Sequence, residues 1–340
     1  MKISVIMAAC NQGTFLKETV ESAIQGLDGC KDYEIIIIDD QSDDGCCDLV
    51  EQSDQVKVFR PAEKLGVSHA RRLAGTMATG DVIMTTDSHC YYPRRCIWRM
   101  AHWAVRQRAI ILPQVKIERS GGAYTPVQGG KLTISPRGLR TDRPSRAREN
   151  PSLYGSIYLM SRMVWDWIGG WIGLPGYWGG EEVINSVLAY RFGIPIVVVA
   201  KHECTHRMYR EHAQYPWPLP NHHPSDITHY IHAACFPDTY PTIWNPLIRF
   251  HYPKWMPNPN ADPEPLRQWI DERAVMDEHK FFKLMFGLDD LAKHPVIKQC
   301  LTRISKLERT NAGQIPIDEP NPSVHPNEPK PVAPGSDYNI

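Results

Sequence analysis

Apolar positions in the first ninety residues switch between short continuous runs and helical spacing. Ile3–Ala9 is a run of strand length, and within 14–26 the residues Phe15, Thr19, Ala23 and Ile24 recur at helical intervals. The stretch 33–38 is continuous and β-branched, as expected of a strand covered on both faces. It stops at a polar cluster, Asp39 to Gly45, that favours a loop. A helix over 47–52, a strand over Val56–Phe59, a helix over 67–78 and a strand over 81–86 follow. Strands separated by helices predict βαβ units, hence an α/β fold with a mainly parallel sheet flanked by helices. Ligands of such sheets bind at the carboxyl ends of the strands. Asp39–Asp40 and Asp87–Ser88–His89 stand there.

Further along, 119–150 loses periodicity to Gly, Pro and Arg. Its arginines Arg137, Arg140, Arg143, Arg146 and Arg148 read as a solvated loop, able to face phosphates. Regular structure resumes over 153–161, a helix starts beyond Glu181 and ends at Gly193, and 194–200 is another strand. Residues 212–262, rich in Pro, His and aromatics, predict an irregular packed layer, and 263–308 carries helical patterns. The division expected is a catalytic domain over 1–215, an extension over 216–312 packed on it, and a Pro-rich disordered tail over 313–340.

Composition narrows the classes. Lys+Arg and Asp+Glu are equal at 38 each, so electrostatic capture of a polyanion by the whole surface is not the first expectation. The nine cysteines are scattered without zinc-site spacing, which fits reduced thiols in a cytosol. No apolar run reaches about 18 residues, and the amino terminus reads as a strand, so neither a spanning helix nor a signal peptide is expected. GxxxxGK[ST], GxGxxG after the first strand and GxSxG are all missing, against a P-loop NTPase, a dinucleotide dehydrogenase and a serine hydrolase.

The remaining motifs carry chemistry. Asp87 and His89, one residue apart at a strand end, offer a carboxylate and an imidazole to a divalent ion such as Mn²⁺. A third ligand is expected from His206 or its rival His202, both after the strand over 194–200. In Trp178–Gly179–Gly180–Glu181–Glu182, the glycines let backbone pass near a ligand. The acids stand at a helix start, able to bond sugar hydroxyls or take a proton from an acceptor. Asp40 is a candidate partner for a nucleobase imide. Arg207 and Arg210 are candidates to neutralise a departing phosphate.

In order along the chain, these pieces resemble the GT-A nucleotide-sugar glycosyltransferases. SVIMAACNQGTFLKETVESAI is similar to their first strand and helix, EIIIIDDQSDDG to their second strand, and EKLGVSHARRLAGTMATGDVIMTTDSH to the run into their metal motif. Asp87-Ser88-His89 in place of the commoner Asp-x-Asp resembles the polypeptide N-acetylgalactosaminyltransferases. So do PSLYGSIYLMSRMVWDWIGGW, YWGGEE, CTHRMYREHAQYPWP and AVMDEHKFF. The likeness runs over roughly 3–286. It implies Mn²⁺ (or Mg²⁺) held by Asp87, His89 and His206 against a UDP-sugar diphosphate, with Asp40 on uracil and Arg71 near the nucleotide. It also implies Glu181 on the donor sugar, Trp178 and Gly180 at the donor site, and Arg210 with Tyr215 on a closing loop.

The implied reaction is metal-dependent transfer of a hexose or N-acetylhexosamine to an acceptor hydroxyl with retention. Glu182, where that branch carries Asn, leaves inversion open, with Glu182 or His212 moving the proton. The membrane anchor and lectin domain of the animal enzymes are not expected, and this departure from the resemblance implies a cytoplasmic enzyme of a bacterium or a phage-infected cell. Acceptors weighed are protein Ser/Thr, a glycan, and a hydroxymethylated pyrimidine in DNA met by the arginines of 137–148. A non-catalytic sugar-nucleotide-binding module is the rival.

Overall fold

The computed structural model describes residues 1–119, 124–142, 149–154, 156–176, 178–208, 224–258 and 260–310. Its first half is the predicted alternation: β1 (Ile3–Ala9), α1 (Phe15–Gly26), β2 (Tyr33–Asp39), β3 (Val56–Phe59), α2 (Val67–Met77) and β4 (Val82–Asp87). After the short β5 (Cys90–Tyr91) come α3 (Cys96–Gln107), β6 (Ile110–Arg119), β7 (Tyr124–Val127), β8 (Lys131–Ser135) and β9 (Gly138–Asp142). β10 (Ile157–Ser161), α4 (Arg162–Trp167), α5 (Glu181–Arg191) and β11 (Ile196–Met208) complete the sheet region. α6 (Pro224–Cys235), α7 (Asn245–His251), α8 (Glu264–Asp271), α9 (Glu278–Phe286) and α10 (Pro295–Thr310) follow.

The main sheet runs β3-β2-β1-β4-β10-β6-β11-β5, with β7 added along the far half of β6. β3, β2, β1 and β4 are parallel, but β10 is antiparallel to both β4 and β6. The sheet is therefore mixed: its longest pairings, β1–β2, β1–β4 and β6–β11, are parallel as expected, and β10, β5 and β7 are its antiparallel members. β10 follows a β8–β9 hairpin instead of a crossover helix, and so enters between β4 and β6 from the opposite end. The continuous apolar runs resolve into two alternating sets. Val5, Met7, Ile35, Ile37, Val82 and Met84 face α1 and α3; Ile6, Ile36, Ile38 and Ile83 face the layer containing α2, α4, α5 and α6. A strand between two cores needs apolar residues at both parities, which explains the missing polar alternation.

Several expectations are corrected. The helix over 47–52 is a single 3-10 turn, Cys46–Leu49, entered from left-handed Gly45 and left by extended Val50. In 119–150 the described residues form β7 and the β8–β9 hairpin. Gly138, at φ +118, supports the hairpin's tight turn, and a Cβ there would come within 2.8 Å of His232. In the 212–262 layer the described residues are largely helical. Pro241 in the π-helical stretch Tyr240–Trp244, Pro246 in α7 and, just beyond that layer, Pro265 in α8 sit in first turns, where a missing N–H costs nothing. Pro237, Pro253 and Pro257 lie between helices. Residues 313–340 lie outside the described residues.

The carboxy-terminal helices are tied to the sheet layer by buried polar groups. Arg191, at the end of α5, donates to the carbonyls of Cys235 (2.5 Å) and Met276 (3.0 Å). Buried Glu278 accepts from the amides of Asp238 and Thr239, at 3.0 and 3.2 Å. His232 of α6 accepts at Nε2 from Leu139 N–H (3.1 Å) and donates from Nδ1 to Thr228 O (2.6 Å), joining the hairpin to α6. That pairing uses the neutral ring. Burial lowers the His232 imidazole from 6.5 to about 4, the Thr228 bond only partly opposing it. With the folded value depressed, the stability tied to the neutral ring is complete above pH 6.5 and declines as pH falls towards 4. Urea midpoints should fall between pH 6.5 and 4.5, and in His232→Gln this acid-side slope should lose about one proton's share. An unchanged slope would contradict the neutral clamp.

Candidate metal and donor site

The site is assembled where β1 and β4 end side by side. Asp87, the last residue of β4, pairs with Ala8 of β1, and its amide donates to Ser156 O at 3.0 Å, just before β10. The adjoining loops are laced by the acidic cluster read in the sequence. Asp39 accepts from Ser42 N–H at 2.9 Å, and Asp44 from Gly13 and Cys46 N–H at 2.7 and 2.9 Å. Asp40 is 1% exposed, and its carboxylate accepts from the amides of Leu65 (2.6 Å) and Gly66 (2.9 Å). Turn-making thus occupies these carboxylates, and Asp40 fastens the loop that leads into α2.

One ligand atom from each of Asp87, His89 and His206 lies within 4.8 Å of the others, the one such metal-ligating group among the described residues. His206 Nε2 is 3.2 Å and His89 Nε2 3.9 Å from Asp87 Oδ2. The two Nε2 atoms are 2.9 Å apart, with the rings stacked at 4.7 Å. Two imidazole nitrogens and a carboxylate oxygen turned on one point are the donor set of a divalent transition ion. Burial, then the neighbouring His206, lowers the His89 imidazole to about 4, so the ring is neutral at pH 7 and keeps a lone pair for a ligand bond.

Of the two rival histidines on β11, the structure brings His206 to Asp87 and leaves His202 elsewhere. β11 runs parallel to β6 with a register break: Val199 is opposite Pro113, yet Glu203 is opposite Gln114, so 200–202 bulge out. His202, on this bulge, lines a shallow depression with Trp98, Arg99, His102, Trp103 and Arg106.

Arg71 of α2 lies at the electrostatic centre. It is buried, its Nη2 is bonded to Asp87 Oδ1, and its guanidinium lies 5.3 Å from the centroid of the Trp171 ring. Burial opposes its charge, but Asp87, Glu181 and Glu182 hold it firmly protonated. Asp87 resists the same burial through Arg71 and His206, which keep its carboxyl below the usual range. Glu181 and Glu182 have no such direct partner, and burial raises both. Glu182, further raised by Glu181, is pushed up to about 7. Tyr158 donates to Glu182 Oε1 at 3.4 Å. Glu181 accepts from Gly179 N–H at 3.1 Å through Oε2, and its buried Oε1 has no partner among the described residues. One guanidinium is thus shared among three carboxyls, and a divalent cation beside them would favour the ionised forms that burial of Glu181 and Glu182 opposes.

Some predicted roles change. Gly180, left-handed at φ +83 before α5, has no room for a Cβ because Ile227 of α6 would lie 2.5 Å away; its glycine is required by helix packing. Trp178 is 47% exposed. Arg207 is bound by Glu18 (2.5 Å) and Glu118 (3.5 Å) and covers Tyr91, so it ties α1 to the sheet. Arg140 lies 3.4 Å from Asp142, and Arg137 lies by Tyr252. Arg143, Arg146, Arg148, Arg210, His212 and Tyr215 lie outside the described residues. Gln12, Tyr158 and Trp171 were not singled out from sequence. Gln12 follows a strand end, a signal that was available; Tyr158 and Trp171 have no local signature.

No helix among the described residues is long and apolar enough to cross a membrane. Polypeptide N-acetylgalactosaminyltransferase 4 of Mus musculus is 25% identical over 240 residues, 64% of this chain and 41% of that protein. An inactive polypeptide N-acetylgalactosaminyltransferase-like protein 5 of Macaca fascicularis is 24% identical over 188 residues, 49% of this chain and 42% of that one. The chain thus spans about two fifths of the length of these relatives. Its fold is that of GalNAc-T7, solved with UDP, GalNAc and Mn2+, at a TM-score of 0.65 and 17% identity, covering 87% of this chain and 59% of that one. The sequence model of glycosyl transferase family 2 matches residues 4–167. The strand order, the loops at the ends of β1 and β4 and that match agree: residues 4–167 form a glycosyl transferase family 2 domain.

Proposed function

We propose that this chain is a metal-dependent transferase moving a hexose or N-acetylhexosamine from a UDP-sugar to an acceptor hydroxyl. The convergence of Asp87, His89 and His206 on one point, at the strand ends of a domain of this family, carries the reading. Mn²⁺ suits the two imidazole nitrogens better than Mg²⁺, which prefers oxygen ligands. When bound, the ion supplies positive charge beside the diphosphate leaving group.

The protein's own groups have separable tasks. Arg71 orients Asp87 by holding Oδ1, which turns Oδ2 towards the histidines. The unpaired Glu181 Oε1 is suited to a donor-sugar hydroxyl, because a buried acceptor without a partner costs about 1–3 kcal/mol. Trp178 lines the rim of the donor pocket, and Asp40 shapes its nucleoside end through the loop it fastens. Arg210 and Tyr215 are assigned to a closing loop by resemblance alone. The acceptor is a protein Ser/Thr or a glycan hydroxyl. Of the five arginines that suggested DNA, Arg140 is paired with Asp142 and Arg137 lies by Tyr252.

The resemblance implies retention at the anomeric carbon. Glu182 supports a second reading. A carboxyl pushed up to about 7 is matched to accept a proton from an acceptor hydroxyl near neutral pH, as inversion requires. Because its folded value is raised, the stability tied to protonated Glu182 is complete below 4.5 and is lost as pH rises through 7. A base role would make activity rise over the window in which that stability declines. The anomeric configuration of the product, read by NMR, separates the readings. An inverted product whose rate rises through about pH 7, and is lost in Glu182→Gln, assigns the base to Glu182. A retained product with an unaltered pH profile in Glu182→Gln removes it.

Asp87→Ala and His206→Ala should each reduce Mn²⁺-dependent UDP release by about a hundredfold or more. Full activity in either variant would remove that residue from the site. UDP binding without turnover by the unaltered protein, across a panel of donors and acceptors, would instead favour a non-catalytic module.

A further inference from the structure

His89 has two ring nitrogens, and only one tautomer presents a lone pair towards Asp87 and His206. The unprotonated nitrogen must be Nε2, the atom 2.9 Å from His206 Nε2 and 3.9 Å from Asp87 Oδ2. The proton must then sit on Nδ1, which faces Gln12 Oε1 at 2.8 Å. Amide oxygen and nitrogen look alike by shape, but a second bond fixes which atom is which. Gln12 Nε2 lies 2.8 Å from Cys10 O, and a carbonyl oxygen only accepts, so that atom is the amide nitrogen. Its partner Oε1 is therefore an acceptor aimed at Nδ1, and the His89 proton is placed by elimination.

The backbone is shaped to put Gln12 there. Asn11 and Gly13, on either side of it, are left-handed at φ 52 and 53. Asn11 N–H donates to Ser42 Oγ at 3.2 Å and its Oδ1 accepts from Asp43 N–H at 2.9 Å, while Gly13 N–H donates to Asp44 Oδ2. Asn is among the residues that enter this region at least cost. The turn folds Gln12 back over the end of β1 and holds its amide between Cys10 and His89.

We infer that Gln12 is a positioning residue for metal binding, fixing His89 as the Nδ1–H tautomer so that Nε2 is offered to the ion. This rests on the metal-site reading proposed above, and extends it to a residue that touches neither ion nor substrate. A partner of this kind orients the ring and raises its basicity, and its loss typically lowers metal affinity by about 10–100-fold.

Three forms of the whole chain test it: the unaltered protein, Gln12→Leu, which removes the acceptor, and Gln12→Glu, which keeps one at similar length. Mn²⁺ affinity is measured by calorimetry, and the His89 tautomer by ¹⁵N NMR of the metal-free protein. Gln12→Leu should weaken Mn²⁺ binding by about 10–100-fold and lose the pure Nδ1–H signature. Gln12→Glu should keep that signature and bind within a few-fold of the unaltered protein. Equal affinities in all three, or equal losses in Leu and Glu, would overturn the inference, as would an unchanged tautomer in Gln12→Leu. Failure of the unaltered protein to bind Mn²⁺ would overturn the metal reading and this extension of it, while an Nδ1–H signature dependent on Gln12 would still be seen if the hydrogen-bond assignment is right.

Discussion

The ion pair between Arg71 and Asp87 is the interaction on which the site depends. Asp87 ends a strand flanked by β1 and β10, where water is scarce, and it keeps its charge because a guanidinium sits on Oδ1. Arg71 is itself buried and stays in place because Trp171 lies under it, with Tyr158 stacked 5.7 Å beyond. Removing one member of such a set strands a charge in a low-dielectric pocket, which costs far more than the pair itself returns. One rigid arrangement thus splits Asp87 into an oxygen facing protein and an oxygen facing the histidines. It also sets the Arg71 guanidinium within the field of both Asp87 and the acids of α5.

The carboxy-terminal helices serve this arrangement from behind. Glu181 stands on the first turn of α5, so its position follows that of the whole helix. Gly180 lets Ile227 and Ile231 of α6 close against the start of α5, and Arg191 pins its end to α6 and to the chain before α9. Glu278 then fastens the turn between α6 and the π-helical stretch. A helix held at both ends by packing and buried hydrogen bonds can present a carboxyl with an unpaired oxygen, because the surroundings fix its position.

Much of the first hundred residues could be read from sequence because each element there signals itself locally. β1, β2, β3 and α2 lie where continuous or helical spacing placed them, and Asp87 and His89 stood out because strand ends are where such sheets bind ligands. The failures have physical reasons. The β8–β9 hairpin is built from turn-forming residues and two short strands, so composition resembled a loop. Pro241, Pro246 and Pro265 stand in the first turns of helices, whereas a simple count of prolines suggested irregularity. Gly180 looked like space for a ligand and is space for Ile227. Arg207 looked like a phosphate partner until the fold brought Glu18, distant in sequence, against it.

The choice between His202 and His206 shows why ligand spacing alone was insufficient. Both follow the same strand, and on an unbroken strand residues four apart share a face. β11 is broken opposite the junction of Pro113 and Gln114, and Pro113 has no amide proton to give a ladder. Three residues leave the register there, so the pairing that resumes at Glu203 is set by β6 and not by the count from β11's start. From that point Cys204 is buried beneath Cys96, with their sulfurs 3.6 Å apart, and His206, two residues on, emerges where Cys90 of β5 pairs with it. β5 begins immediately after His89. The same ladder contact that closes the edge of the sheet therefore sets the distance between the two imidazoles. The third ligand is placed by sheet register, a long-range property that no spacing within the motif contains.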